Sequence, residues 1–298
     1  LKDGVSHVGK NMRNVRKDQN GVAVMIAAVL LLSLGVALGG RLLIGYGEIQ
    51  GKEDDMAHMA DLEDSMMRMR GSMYTLLESG DTQTTIVNRA TLGTYGNPYT
   101  TVARSSGKIS MDPRPDSFSM RLILRSGGTD TMIDSISGSL TYQGDNYYYV
   151  DQEYSFHGGG ILLTSYGSDT VSSPPSINID KGIGNEYSVH IRAYGITGGV
   201  RSVTGFESIQ LESSMQTYSS DQISIPGGSS LVVSINCRGE QAWKNYFSSY
   251  LKGQELVEGT DFNINDPVDW TDPDEYLELE ILTLNSLDYR FGNMEVVF

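Results

Sequence analysis

The side chains best suited to bind a ligand form a short acidic run between residues 261 and 275. Its alternating oxygen-bearing residues include five candidate calcium ligands: Asp261, Asn263, Asn265, Asp269 and Asp272. Such alternation is typical of loops that bind calcium through carboxylate and amide oxygens. Asp266, however, stands where those loops carry a glycine, and Asp272 replaces their terminal glutamate. We therefore favour a solvated turn, keep calcium as the alternative, and expect no other cofactor.

Groups that commonly perform catalysis are sparse in this sequence. Its four histidines and single cysteine are His7, His58, His157, His190 and Cys237, and none of them is paired at the spacing of metal ligands. One cysteine excludes a disulfide within the chain. The sequence contains neither a Gly-x-Ser-x-Gly nucleophile turn nor a phosphate-binding loop, and its glycine clusters lie between predicted strands. We predict that the protein is not an enzyme.

The charge is divided unevenly along the chain. All 298 residues together carry 22 basic and 37 acidic side chains, a net charge of −15. Residues 1–20 hold 5 of the basic and 2 of the acidic residues, so the remainder holds 17 basic and 35 acidic residues, a net charge of −18. Phosphate binding needs clustered lysine and arginine, so we exclude nucleic acid as a partner. The asymmetry suggests that the two parts face different surroundings.

An uncharged segment extends from Gln19 to Gly40, and Val22–Leu38 within it is almost wholly apolar. A helix of about 20 such residues spans the roughly 30 Å of a bilayer core. Because basic residues precede this segment, the positive-inside rule places residues 1–18 in the cytoplasm and the chain after about residue 45 outside the cell. The alternatives are a buried core helix and a cleaved secretory signal. The segment is too uniformly apolar for the first and too long for the second.

The run Arg16-Lys17-Asp18-Gln19-Asn20-Gly21 resembles the class III signal of archaeal type IV pilins and archaellins. The resemblance implies that a membrane peptidase cuts between Asp18 and Gln19 and leaves the apolar helix on the mature protein. Asp18 departs from the family pattern, which has glycine or alanine before the cut. Four further fragments are similar to a group of uncharacterised archaeal pilin-like proteins with large extracellular domains: Gly138–Tyr142, Phe156–Gly160, Ser173–Pro175 and Ala242–Phe247.

A second helical pattern begins near Lys52, after a predicted hinge that contains Gly45, Gly47 and Gly51. Its apolar positions, spaced three and four apart, are named here the seam residues: Met59, Leu62, Met66, Met69, Met73 and Leu76. This spacing predicts an amphipathic stalk helix that ends near Gly80. We favour packing of the seam against a sheet of the same chain, with packing between copies in a filament core as the alternative.

Beyond residue 80 the pattern changes to the alternation that is typical of β-strands. Short alternating runs separated by glycine-rich turns recur from Thr84 to Asn236, including one at Tyr99–Ala103. The aromatic stripe of Gly239–Lys252 predicts a helix docked on a sheet, with a face that binds carbohydrate or a partner as the alternative. A closing hairpin of Tyr276–Leu284 and Arg290–Phe298 follows. The predicted fold class is α+β, mainly β: a long N-terminal helix followed by an antiparallel, sandwich-like domain.

The chain is therefore divided into a basic leader (1–18), a transmembrane helix (19–44), an amphipathic stalk helix (45–80) and an extracellular β-rich domain (81–298) with one helix near 239–252. With the resemblance, this organisation leads us to expect a non-enzymatic, pilin-like subunit of the cell surface that serves surface structure or adhesion. Its expected partners are the membrane, other copies of itself through the N-terminal helix, and an unknown surface ligand.

A different interpretation is a monomeric, membrane-anchored extracellular protein that binds a glycan or a protein ligand. Such a protein would use the consecutive tyrosines Tyr147, Tyr148 and Tyr149 together with the turn loops. An anchored hydrolase is a third and weaker alternative.

Overall fold

The computed structural model describes residues 6–94, 105–182, 186–225, 227–266 and 276–298. The chain begins with helix α1, which runs from Ser6 to Ser79 and contains 74 residues. At 1.5 Å per residue, its length is about 110 Å. Gly80 adopts φ +66 and ends the helix, and its N–H donates to the carbonyl of Leu76 at 3.1 Å.

The hinge that we predicted at Gly45, Gly47 and Gly51 is wrong, since α1 continues through all three glycines. A glycine inside a helix costs about 1 kcal/mol relative to alanine, which weakens a helix without breaking it. The first proline of the chain comes at residue 98, after the helix has ended, so nothing in this segment removes a helical hydrogen bond.

Sixteen strands and a second helix, α2 (Glu240–Gly253), follow among the described residues. The strands are β1 (Thr85–Thr91), β2 (Ser106–Asp112), β3 (Phe118–Ser126), β4 (Thr129–Ser137), β5 (Ser139–Asp145), β6 (Gln152–His157), β7 (Gly160–Ser165), β8 (Ser168–Ser173), β9 (Ser176–Lys181), β10 (Tyr187–Thr197), β11 (Arg201–Gly205), β12 (Ser208–Ser224), β13 (Ser230–Cys237), β14 (Phe262–Asn265), β15 (Leu277–Ile281) and β16 (Leu284–Val297). The predicted fold class, α+β and mainly β with a long N-terminal helix, is confirmed.

The strands form three sheets. Sheet A has the order β1-β12-β16-β10-β9, sheet B the order β11-β2-β5-β6-β7-β8, and sheet C the order β14-β15-β13-β3-β4. Within the described residues these pairings are antiparallel, apart from β10 with β16, which run parallel. The prediction included no strand at β4, β8 or β14, which all lie at the edges of their sheets; β4 and β8 carry mostly polar residues, and β14 is only four residues long. The predicted strand at Tyr99–Ala103 lies outside the described residues.

The predicted closing hairpin is also wrong, because its two halves belong to different sheets. β15 lies in sheet C beside β13, whereas β16 lies inside sheet A between β12 and β10. The chain turns from one sheet to the other at Thr283, whose φ is +58. Just after this turn, the N–H of Leu284 donates to the carbonyl of Ser229 at 2.9 Å. The turn therefore directs β16 away from β15.

Two apolar cores hold the sheets and helices together. One lies under α1, between the seam residues and the inner faces of sheets A and B. The other joins sheets A and C with α2, whose Trp243 and Phe247 are each 1% exposed. Cys237 is buried in this second core, and burial raises the pKa of its thiol well above the ordinary range. Helix α2 therefore docks on a sheet, as its aromatic stripe predicted.

Candidate functional site

The first part of α1 presents a long apolar surface that the rest of the chain leaves uncovered. Its most apolar stretch has a mean hydropathy of 2.7 and none of it is buried. Leu31 is 70% exposed and Ile44 is 75% exposed. Among the described residues, this is the one helix that is long and apolar enough to cross a membrane. An exposed apolar surface of this size marks contact with a membrane or with another protein.

The second part of α1 is buried in the β-rich domain. Every seam residue, from Met59 to Leu76, is at most 2% exposed. The seam packs on apolar side chains of sheets A and B, among them Tyr142, Leu211 and Met294. It therefore lies in the core of its own chain, which is the arrangement that we favoured over packing between copies.

Polar contacts fix the C-terminal end of α1 to sheet A. Arg192, on β10, donates to Glu78 at 3.1 Å and to Asp288, on β16, at 2.8 Å. Arg290 also donates to the Glu78 carboxylate. The Arg192 guanidinium holds the pKa of Asp288 below its ordinary range. These ion pairs hold the end of the helix against the two parallel strands.

The outer face of sheet B forms a polar cleft of about 430 Å³. Alternate positions of β2, β5 and β6 supply the floor, which consists of Ser110, Ser139, Thr141, Ser155 and His157. The residues between them, such as Ile109 and Leu140, face the core under α1. Sheet register places Ser110 beside Thr141, and Thr141 Oγ1 lies 3.0 Å from Ser155 Oγ. The floor thus presents a row of hydroxyl groups.

The rim of the cleft carries charges of both signs in equal number: Lys108, Arg114 and Arg238 against Asp112, Asp116 and Glu153. Arg114 binds Asp112 at 2.6 Å, and this contact holds the pKa of the Asp112 carboxyl below its ordinary range. The cleft is therefore close to neutral in a chain whose net charge is −15. Such a surface neither attracts nor repels a charged ligand strongly, so it suits a neutral polar ligand.

His157 closes one end of the cleft and is 2% exposed. Its ring stacks on Phe118, with centroids 5.2 Å apart and an angle of 9° between the planes. Burial lowers the pKa of His157 to about 3, so the imidazole is neutral at ordinary pH. Its Nδ1 has no hydrogen-bond partner among the described residues. This nitrogen is buried as well as unpartnered, so it does not present a hydrogen-bonding group to a ligand in the cleft.

A second cavity, of about 450 Å³, lies between α1 and the end of β1. His58 and Asp61 line its helical side. His58 Nε2 lies 3.2 Å from the hydroxyl of Tyr142, which in turn donates to the carbonyl of Leu92 at 2.6 Å. Burial lowers the pKa of His58. These contacts hold the helix against sheet B. They account for the position of His58 by packing and hydrogen bonding within the chain, without a bound ligand.

The structure describes three of the five candidate calcium ligands. Asp261 is 4% exposed, and its carboxylate accepts the N–H of Val257 at 2.8 Å, the main reason why its pKa is lowered. Asn263 and Asn265 lie on β14. Asp269 and Asp272 lie outside the described residues, and the described part of the chain contains no cluster of three metal-ligating His, Cys, Asp or Glu side chains. Calcium binding stays a prediction.

The residues predicted at the signal cut, Asp18 and Gln19, lie within α1. No family model, no curated protein and no solved structure matches this chain. The resemblance to pilins and archaellins therefore rests on the residues quoted above. Sequence reasoning missed the polar cleft, because its floor comes from three strands whose register the sequence does not reveal. The alternation of hydroxylated with apolar residues on consecutive strands is the signal that could have found it.

Proposed function

We propose that the protein is a non-enzymatic, pilin-like subunit of the cell surface that is held by its N-terminal helix and displays its β-rich domain outside the cell. The change in burial along α1 carries this proposal. Leu31 is 70% exposed, whereas Met69 on the same helix is 0% exposed. One helix thus joins an uncovered apolar segment, residues 22–44 and named here the apolar rod, to a folded domain. Lipid or neighbouring helices must cover the rod.

The distribution of charge supports this orientation. The leader has a net charge of +3 and the remaining chain a net charge of −18. Basic residues beside a membrane helix stay in the cytoplasm, so the acidic domain would lie outside. Gly35, Gly39 and Gly40 have open space around them, which allows a second helix to approach closely in either a membrane or a filament.

Recovery of the protein from intact cells tests which of the two forms it takes. If it polymerises, protein sheared from the cell surface should sediment as filaments, and its N-terminal residue should be Gln19. If it stays as an anchored monomer, it should appear only in detergent extracts of the membrane. Protein that washes off without shear or detergent, or a domain that external protease spares on intact cells, would refute the proposal.

A pair of variants tests the role of the apolar rod itself. An arginine near the bilayer centre raises the free energy of inserting the helix into the membrane by about 2.5 to 3.5 kcal/mol. We expect Leu31→Arg combined with Leu34→Arg to move the protein out of the membrane fraction. Met56→Arg is the matched control, because Met56 is 46% exposed and lies beyond the rod on the same helix. Equal retention of the two variants in alkali-washed membranes would contradict the anchor.

The polar cleft favours a second candidate function, an anchored receptor for a neutral, polyhydroxylated ligand such as a glycan. Its hydroxyl floor and balanced rim provide hydrogen-bond donors and acceptors without a strong electrostatic field. Calorimetric titration of the full chain with maltotriose and chitotriose tests this function. We expect heat from at least one of them, and a loss of that heat in Thr141→Val. Absence of heat from both would remove this candidate.

A further inference from the structure

Sheet B ends in two turns that point toward the membrane side of α1. A Cβ on Gly144, at the end of β5, would lie 3.0 Å from the sulfur of Met59. Arg70 lies eleven residues further along the helix and donates to the carbonyl of Gly159, just after β6, at 2.7 Å. β6 therefore runs away from the apolar rod, and the β5–β6 turn faces it. The β7–β8 turn lies at the same end, because Gln152 pairs with Ser165.

The β5–β6 turn is fixed to the helix at a defined height. Asp55 is 3% exposed, and one of its carboxylate oxygens accepts the N–H groups of Tyr148, at 2.8 Å, and Tyr149, at 3.3 Å. The ring of Tyr148 lies directly on Gly51, where a Cβ would overlap it. Glycine at this position therefore makes room for the tyrosine, and the turn cannot slide along the helix.

This height matches the boundary of a bilayer. Gly51 lies seven residues beyond Ile44, the last of the exposed apolar residues that precede Tyr46. Seven residues correspond to about 10 Å along a helix. The headgroup layer adds roughly 5 to 8 Å on each side of the hydrocarbon core. With the end of the rod at the edge of the hydrocarbon, Gly51 lies about 2 to 5 Å outside the headgroup layer, and Ile49, which is 64% exposed, lies at its outer edge. A tyrosine side chain of the turn can reach back across this gap, with its ring toward the lipid and its hydroxyl in water.

The exposed tyrosines of the described residues all lie at this end of the molecule. Tyr46, on the helix, is 58% exposed, Tyr147, in the β5–β6 turn, is 64% exposed, and Tyr166, in the β7–β8 turn, is 84% exposed. We propose that Tyr46 and Tyr147, named here the tyrosine face, lie in the headgroup layer of the membrane that α1 spans. Tyr166 lies farther out, because Ser165 pairs with Gln152 and Gln152 pairs with Gly144, at the height of Met59. This inference rests on the proposed anchor and adds a second contact with the bilayer.

The chemistry of the tyrosine face fits lipid headgroups. A phenol has an apolar ring and a polar hydroxyl, and tyrosine is enriched where membrane helices leave the hydrocarbon. The neighbouring acidic residues are Glu48, Asp145 and Asp151, and Lys52, one turn beyond Glu48 on α1, offsets only part of their charge. An anionic surface would repel these carboxylates. The face therefore suits a zwitterionic headgroup such as phosphocholine.

Tryptophan fluorescence in vesicles tests the contact. The full chain is reconstituted in phosphatidylcholine whose acyl chains are brominated near the headgroup, and the emission that Tyr147→Trp adds to the parent protein is measured. We expect bromine to quench at least half of that added emission. The control is Val200→Trp, because Val200 is 66% exposed and lies in the β10–β11 turn at the opposite end of sheet B. Its added emission should be unaffected.

A second pair of variants tests the fixing of the turn. Gly51→Leu should displace Tyr148 and reduce the quenching of a tryptophan at position 147 at least twofold. Gly71→Leu is its control, because Gly71 is on the same helix with nothing within 4 Å. If the protein floats with the vesicles but tryptophan 147 is no more quenched than tryptophan 200, the contact is refuted and the anchor stands. If the protein does not float, both proposals fail.

Discussion

Truncation of one seam methionine tests whether α1 is held by its own domain. Met69 is 0% exposed and lies in the core that α1 shares with sheets A and B. Met69→Ala removes three heavy atoms from a site that cannot fill with water. Such a change costs about 2 to 5 kcal/mol, because transfer energy is lost and a cavity remains. For a domain of this size each kcal/mol lowers the melting temperature by about 2 to 4 °C, so we expect a fall of roughly 4 to 20 °C.

The assay is thermal unfolding of the full chain in detergent, followed by near-ultraviolet circular dichroism. Met56→Ala is the matched control, because Met56 is 46% exposed on the same helix and its truncation should change stability by less than about 0.5 kcal/mol. If Met69→Ala melts within 2 °C of the control while assembly into filaments is lost, the seam serves contacts between copies. That result would refute packing within the chain.

Three other perturbations have expected outcomes that unfolding experiments can measure. His157 has a pKa of about 3 in the folded chain and 6.5 in the unfolded chain, so the unfolded chain binds more protons between these two pH values. The free energy of unfolding should therefore fall by up to about 1.4 kcal/mol for each pH unit below pH 6.5, and His157→Gln should flatten this dependence. Arg192→Ala should lower the free energy of unfolding in urea by about 1 to 3 kcal/mol, because Glu78 and Asp288 both lose a charged hydrogen-bond partner. Lys252→Ala, at an exposed ion pair, should lower it by less than about 1 kcal/mol, and equal losses would contradict the fixing of the helix end by Arg192. Gly80→Ala should cost about 1 to 2 kcal/mol, since its φ is +66, while Gly71→Ala inside the helix should stabilise the protein by up to about 1 kcal/mol; the same sign for both would refute the assigned helix end.

Periodicity predicted the long elements of the fold, because long amphipathic helices and alternating strands leave a strong signal. The seam from Met59 to Leu76 and the aromatic stripe around Trp243 both face the cores that their spacing indicated. The continuity of α1 was not predictable from the local preference of glycine, since helix propagation is cooperative and the flanking turns carry the helix through isolated glycines. The partners of each strand could not be predicted from local sequence either, because the pairing of β16 with β10 joins residues about 100 positions apart.

The candidate sites were harder to predict than the fold. The uncovered apolar part of α1 is visible in one window of sequence, so it could be identified directly from residues 22–38. The polar cleft combines Ser110, Thr141 and Ser155 from three strands, and the tyrosine face combines a helix with a turn of sheet B. Both depend on register and on the direction of each strand along α1, and neither quantity is encoded in a local pattern.

Because α1 is continuous, a change in its tilt at one end moves the folded domain at the other end. Between Ile44 and Ser79 the helix rises about 50 Å with its last five turns gripped by the sheets. If α1 spans a membrane as proposed, a tilt of roughly 20° would swing the far end sideways by about 18 Å and carry the whole domain with it. Lipid thickness or crowding at the base would thus set where the outermost loops point, and a pull on those loops would reach the bilayer without a soft joint to absorb it.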